Sequence, residues 1–134
     1  MNKLFLATAI ILLSGCGPGL VIDKAIGQYN YAESRVELGD SKSQVLAILS
    51  PSQAALSSKS KKRSDKYMKD NVLVEIYYFR TGRQPDGLTT DDEFTPYVFN
   101  NGKLVAVGWA SIGGPKTQGQ TQDSITVNNS TVVY

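Results

Sequence analysis

The sequence predicts a small α+β domain, in which one or two short N-terminal helices pack on a three-stranded antiparallel β-meander. Three observations support this fold class: a capped amphipathic stretch at 41–50, a β-branched and aromatic run at 72–80, and two apolar segments that flank Asn101-Gly102. Helical and alternating apolar periodicities distinguish the two kinds of element. The 134-residue chain is long enough for one such domain with a single core.

The first sixteen residues predict a cleaved and lipidated N-terminus. Lys3 precedes about ten apolar residues, a length typical of a signal-peptide core and shorter than the roughly 20 residues that span a bilayer. Leu13-Ser14-Gly15-Cys16 follows, and Cys16 is the only cysteine in the chain. This segment resembles the lipobox of bacterial lipoproteins, in which the cysteine receives a diacylglycerol thioether and its amine an acyl chain such as palmitate.

The lipobox resemblance implies a signal peptide at 1–15, a lipid-anchored leader at 16–34, and a membrane attachment through acyl chains on Cys16. Two or three chains hold a protein stably, because each buried methylene contributes about 0.8 kcal/mol. Gly17 stands where an aspartate usually retains Gram-negative lipoproteins in the inner membrane, so the resemblance implies the periplasmic face of the outer membrane. An ordinary secretory signal with a chance cysteine is the alternative.

The composition argues against catalysis. The chain has no histidine, which removes the commonest general base near neutral pH and the commonest zinc ligand. A lipid on Cys16 would also remove the only thiol. We therefore expect no enzyme activity and no cofactor. Cleavage of the signal peptide would remove Lys3 and leave one fewer than the 14 basic side chains, against 12 acidic ones. The mature chain would be nearly neutral, which gives no reason to expect nucleic-acid binding.

Residues 21–35 give a mixed signal. Their apolar side chains have roughly helical spacing, but Gly27 and Asn30 interrupt it. We expect irregular structure there, with at most a helical turn.

The 41–50 helix is better defined. Ser41 and Gln44 form a capping-box pattern, in which each side chain satisfies a free main-chain N–H of the other residue. Apolar residues then repeat at i, i+3 and i+4. Pro51 is expected to end the helix, because proline disfavours the α conformation at the preceding residue.

The next stretch, 52–71, is strongly basic. Its cations are Lys59, Lys61, Lys62, Arg63, Lys66 and Lys69. On a membrane-tethered domain such a cluster could contact anionic lipid, lipopolysaccharide phosphates or an acidic partner. Because no aromatic residues lie among the charges of 59–66, we favour a solvated loop that keeps the protein soluble.

A strand is predicted over 72–80, from its β-branched and aromatic residues, and a polar acidic loop over 82–93. The loop carries Asp86, Asp91, Asp92 and Glu93. A bound cation is conceivable there, but the spacing does not match the ligand pattern of an EF-hand loop.

A β-hairpin is predicted at 94–112, with Asn101-Gly102 at the centre of a type I′ turn. This register pairs Phe99 with Leu104, Val98 with Val105, and Phe94 with Trp109. It places Phe94, Val98, Val105, Val107 and Trp109 on one face, and Tyr97, Phe99, Leu104 and Ala106 on the other. Pro96 implies a bulge or a late start to its strand, because it cannot donate a ladder hydrogen bond.

Both faces of this hairpin are apolar, so we expect another element or a partner to cover the second face. The candidate interaction surface combines three aromatic residues with three cations of the basic stretch: Tyr97, Phe99, Trp109, Lys61, Lys62 and Arg63. The polar tail at 113–134 is expected to be flexible, although its last four residues could add a strand or a binding peptide.

Three segments together resemble the SmpA/OmlA (BamE-like) family of outer-membrane lipoproteins. They are the glycine-then-capped-helix segment at 36–45, the aromatic strand at 76–79, and the closing hairpin at 97–105. The resemblance covers about residues 35–112 and implies a non-catalytic, lipid-anchored envelope adaptor. Such a protein would bind a periplasmic or outer-membrane protein and support an outer-membrane complex, with β-barrel assembly as the candidate process. A binding module for an anionic envelope polymer or lipid, acting through residues 59–69, is the alternative.

Overall fold

The structure, a computed structural model, describes residues 18–115 and has two helices followed by a four-stranded antiparallel sheet. This confirms the α+β class, with one strand more than predicted. The helices are α1 (Pro18–Ala32) and α2 (Lys42–Gln53), and the strands follow one another across the sheet: β1 (Asp65–Lys69), β2 (Val72–Arg80), β3 (Phe94–Asn100) and β4 (Lys103–Val107). Short 3-10 turns lie at Glu33–Arg35, Ser58–Ser60, Asp91–Glu93 and Trp109–Ile112.

The expected signal peptide, the lipid site at Cys16 and most of the polar tail lie outside the described residues. Within 18–115, neither helix combines the length and the apolar character that crossing a bilayer requires.

Both helices pack on one face of the sheet and form the main core with it. The buried side chains of this core are Tyr29, Ala32, Val45, Leu49, Phe79, Tyr97, Phe99 and Leu104. The Tyr29 and Tyr97 hydroxyls lie 2.6 Å apart and hydrogen-bond within it. A smaller cluster of Val74, Ile76 and Val98 occupies the other face, where the Trp109–Ile112 turn brings Ile112 against it.

Helix α1 shows that the expectation of irregular structure at 21–35 was wrong. Ala25, Tyr29 and Ala32 are buried, and their i, i+4, i+7 spacing places them on one helical face. Burial against α2 and the sheet outweighs the cost of Gly27 in a helix interior, which is about 1 kcal/mol. Residues 18–32 therefore belong to the packed fold rather than to a leader.

Helix α2 begins as predicted and ends later. The capping box between Ser41 and Gln44 is present, which confirms that prediction. The helix continues through Pro51 to Gln53, however, so the prediction that Pro51 closes it was wrong. Hydrogen bonds hold this last turn, since Ser52 Oγ donates to the Leu49 carbonyl at 2.6 Å and the buried Gln53 amide bonds β2.

Strand β1 was not predicted, because all five of its residues are exposed and show no apolar alternation. It pairs with β2 from Asp65 opposite Ile76 to Lys69 opposite Val72. Asp70 and Asn71 make the turn between them with φ values of 49° and 62°. Aspartate and asparagine tolerate this left-handed conformation better than other side chains do.

The β3–β4 hairpin has the predicted turn but a shifted register. Asn101 and Gly102 adopt φ values of 47° and 77°, as a type I′ turn requires, and Phe99 pairs with Leu104. A β-bulge then leaves Val105 unpaired. The predicted pairing of Val98 with Val105 was therefore wrong.

Beyond the bulge, Val98 pairs with Ala106, so Ala106 joins the smaller cluster and not the core face that was predicted for it. Val107 and Val105 are about half exposed rather than buried. Gly108, at φ 94°, ends the strand, so Trp109 does not pair with Phe94 as expected.

Pro96 lies within β3 opposite Tyr78, so neither the bulge nor the late start expected of it occurs there. The Gly108 N–H donates to the Pro96 carbonyl at 2.9 Å, just past the end of β4. Because the N–H and C=O of a strand residue point to the same side, the N–H that proline lacks would face a position where the ladder has ended.

A buried ion pair closes the end of the sheet opposite the turns. Arg80 and Glu93 are 2% and 1% exposed, and the Arg80 guanidinium donates to the Glu93 carboxylate. The guanidinium also donates to the Ser60 carbonyl at 3.2 Å and to Thr89 Oγ1 at 3.4 Å. Gln53 completes the site by bonding both the N–H and the C=O of Arg80, much as a neighbouring strand would.

Replacing Arg80 by methionine should destabilise the protein by about 3–5 kcal/mol, because it leaves the Glu93 carboxylate buried without a countercharge. Urea unfolding monitored by circular dichroism would measure this. The control is Arg83→Met, which removes an exposed ion pair to Asp23 and should cost no more than about 1 kcal/mol. Equal losses from the two substitutions would contradict the assigned role of Arg80.

Candidate functional site

The basic residues of the predicted cluster lie on one edge of the sheet. Lys59, Lys61 and Arg63 precede β1, and Lys66 and Lys69 lie on it; all five are exposed. In the described part of the chain none of these five forms an ion pair. We call residues 59–69 the basic edge. Together with Asp70 this segment carries six basic and two acidic side chains, a formal charge of +4.

The two edges of the sheet differ in how they are protected. The outer side of β4 is covered by residues 39–42: Gly39 N–H donates to the Leu104 carbonyl at 2.8 Å, and Leu104 N–H donates to Asp40 at 2.9 Å. No such segment covers the outer side of β1 among the described residues. The basic edge is therefore the open edge of the sheet.

Lys62 differs from its neighbours in the predicted trio. Its ammonium lies 3.0 Å from Asp91 and 4.8 Å from the centre of the Tyr78 ring. This double contact fixes the basic edge to the acidic loop and to β2. Lys61 and Arg63, by contrast, extend towards solvent.

Tyr78 joins the basic edge to Trp109. The two rings stack at 5.6 Å, and Trp109 Nε1 donates to the Phe94 carbonyl at 2.7 Å. The Tyr78 hydroxyl donates to Asp65 at 2.7 Å. Burial, followed by this hydrogen bond, raises the pKa of Tyr78 above its ordinary value. Trp109 thus belongs to a supporting aromatic layer and is only partly accessible.

Two predicted surface residues are in the core. Tyr97 and Phe99 are 2% and 0% exposed and face the helices, so their assignment to an interaction surface was wrong. Alternation along β3 correctly placed them on one face. It could not tell which face the helices cover, because both are apolar.

Carboxylates of the acidic loop bond to other side chains of the same domain. Glu93 binds Arg80, Asp91 binds Lys62, and Asp92 accepts from the Gln84 amide at 3.0 Å. The hydrogen bond from Thr90 lowers the pKa of Asp92. Within residues 18–115 no three histidine, cysteine or acidic side chains converge as a metal site would require.

A groove of about 760 Å³ separates the two helices on their outer side. Its lining includes the apolar residues Ala47, Ile48 and Pro51 and the cations Lys24 and Arg35. It brings together no pair of groups suited to acid–base or nucleophilic chemistry. The basic edge is the stronger candidate, since it combines unpaired main chain with charge.

A family model described as "Protein of unknown function (DUF3192)" matches residues 24–113. The matched range begins inside α1 and ends just after the 3-10 turn that carries Trp109, so it includes the larger part of α1, all of α2, all four strands and the basic edge. No curated protein and no solved structure matches the chain. The resemblance to SmpA/OmlA lipoproteins stays a prediction.

The raised pKa of Tyr78 predicts a loss of stability at alkaline pH. Its phenol is held neutral in the folded protein, whereas an unfolded tyrosine ionises near pH 10, so stability should be constant below about pH 9 and fall above about pH 10. Tyr78→Phe should make this fall shallower, as measured by urea unfolding between pH 7 and 11. An unchanged slope would contradict the assignment. The free energy of unfolding at pH 7, where the phenol is neutral in both the folded and the unfolded protein, measures the packing effect of the substitution alone.

Proposed function

Because the chain belongs to the DUF3192 family, whose description assigns no activity, we propose its function from its own residues: a non-catalytic, lipid-anchored envelope adaptor. In this proposal acyl chains on Cys16 hold it at the periplasmic face of the outer membrane. The basic edge then binds a protein partner and supports an outer-membrane complex. The resemblance to SmpA/OmlA lipoproteins makes β-barrel assembly the candidate process.

One observation carries the binding role: the open edge of the sheet is also the most basic segment of the chain. Lysines on an edge strand commonly prevent unwanted pairing between sheets. Here the charge is concentrated at +4 within twelve residues, and five of the six cations form no ion pair within residues 18–115. An uncompensated charge of this size beside unpaired main chain favours a negatively charged binding partner.

Anchoring predicts a clear phenotype for Cys16→Ser. Without the thioether the mature chain has no acyl chains to insert, so it should move from the membrane to the soluble periplasmic fraction. Fractionation followed by immunoblotting would measure the shift, and mass spectrometry of the wild type should show a diacylated or triacylated N-terminus. A Cys16→Ser variant that stays with the membrane would refute the anchor.

Partner binding predicts that charge reversal on the basic edge releases the partner. The lipidated protein, cross-linked in intact envelopes and purified, should retain a stoichiometric outer-membrane or periplasmic protein. The triple change Lys61→Glu, Arg63→Glu and Lys69→Glu should remove it. The double change Lys24→Glu and Arg35→Glu, on the helical layer, should not.

Lys66 is left unchanged in this design because it lies directly opposite Glu75, where a second carboxylate would destabilise the β1–β2 pair. Equal partner recovery from the triple variant and from the wild type, or no partner from either, would count against the proposal.

A second candidate is a module for an anionic envelope polymer or lipid, favoured by the five exposed cations without ion pairs. This candidate is tested by binding to lipid or polysaccharide rather than by recovery of a protein partner. Binding to phosphatidylglycerol vesicles or lipopolysaccharide should then be lost on neutralising Lys61, Lys62 and Arg63, and should weaken steeply with salt beforehand. Binding that survives the triple neutralisation would reject this candidate.

A further inference from the structure

The outer side of β1 has its own hydrogen-bonding pattern, set by the neighbouring strands. Leu73 uses its N–H and C=O on the β3 side, where Asn101 bonds both at 3.0 Å and 2.8 Å. The main-chain N–H and C=O groups of successive strand residues point to alternate sides. On the side of β1, β2 therefore presents the groups of Val72, Val74 and Ile76. The β1 residues opposite them direct their own main-chain groups towards β2. The main-chain N–H and C=O of Lys66 and Met68, which alternate with those residues, therefore point away from the sheet.

We propose that these groups receive an extended, acidic segment of the partner protein, which adds to the sheet antiparallel to β1 as a fifth strand. The proposal rests on the proposed function, in that it names how the partner is bound. Main-chain hydrogen bonds supply affinity in such strand addition, and side chains at alternate positions supply specificity.

The side chains of β1 define what the added strand carries. Tyr67 and Met68, at the centre of β1, are 45% and 64% exposed and offer apolar contact on opposite faces of the sheet. Lys66 and Lys69 flank them. Directly opposite positions on paired strands interact, so the complementary segment has apolar residues facing the centre and carboxylates facing the two lysines.

The site has a limited length. At one end the Asp70-Asn71 turn terminates β1. At the other end β1 begins at Asp65, and four residues further along β2 the Gln53 side chain occupies the main-chain groups of Arg80. About five residues, or roughly 17 Å of extended chain, can therefore pair.

A second copy of this chain fits the edge less well. Symmetric pairing of two β1 strands would align Asp65 with Lys69 of the neighbour, but it would also bring together two segments of formal charge +4. Repulsion between like charges opposes that arrangement. An acidic partner has the opposite balance, and this charge complementarity selects it.

The test uses the full-length protein and a capped peptide, Thr-Glu-Val-Val-Glu-Thr, whose glutamates face Lys69 and Lys66 in antiparallel register. Isothermal titration calorimetry should show binding by the wild type and weaker binding by Met68→Ala, which loses the apolar contact but keeps the N–H and is the reference for Met68→Pro. Met68→Pro should bind about tenfold or more weakly than Met68→Ala, because it also removes an outward N–H that the fold itself does not use. Amide hydrogen exchange should slow at Lys66 and Met68 on binding and stay unchanged at Tyr67.

N-methylated peptides give an independent arm should Met68→Pro fail to fold. Methylating the second glutamate and the first valine, which face Lys66 and Met68, should abolish binding; methylating the first glutamate and the second valine should not. Equal effects from both patterns would overturn strand addition, and the partner capture would still stand. Self-association through β1, or exchange protection by phosphatidylglycerol vesicles and not by the peptide, would also overturn it.

Discussion

The buried pair of Arg80 and Glu93 is the constraint on which the rest of this fold depends. Removing two such charges from water is expensive, and the structure offsets the cost with hydrogen bonds to the terminal nitrogens of the guanidinium, while the buried Arg80 Nε has no partner. To do so it draws in the Ser60 carbonyl, the Thr89 hydroxyl and the Gln53 side chain, while the guanidinium also lies over the Phe94 ring. The end of α2, the segment before β1 and the acidic loop are thereby fixed to the same end of β2.

This arrangement also determines which edge of the sheet stays open. Gln53 reaches Arg80 on the β1 side of β2, and so takes the place that a longer β1 would occupy. The chain enters β1 only at Asp65, as a short strand with both faces exposed. On the opposite edge, residues 39–42 enter α2 along β4 and satisfy its main chain. The asymmetry follows from connectivity: the segment leading into α2 covers one edge, and the segment leaving it runs past the other.

Sequence reasoning succeeded where the signal is local and failed where it depends on distant contacts. The cap at Ser41 and the Asn101-Gly102 turn each specify their own geometry, and both are present. Helix α1 was missed because its buried face relies on alanines and on Tyr29, whose partner Tyr97 is far away in the chain. Strand β1 gives no periodic signal, since all five of its residues are exposed and it is held by main-chain pairing and by the hydrogen bond from Tyr78 to Asp65. Its turn at Asp70-Asn71 was the one available clue.

The candidate site, too, could be predicted only in part from local sequence signals. The cations were visible in the sequence, but their position on an open edge was not, because main-chain availability has no sequence pattern. The start of α1 also shortens the linker that the proposed lipid anchor would have. A leader of residues 16–34 could extend about 60 Å, whereas α1 begins at Pro18, two residues beyond Cys16 and at most about 7 Å of chain. Gly19 of α1 and Lys59 of the basic edge line the same groove. In the proposed anchoring, a lipidated Cys16 would therefore hold this end of the basic edge, and a partner segment bound there, near the membrane surface.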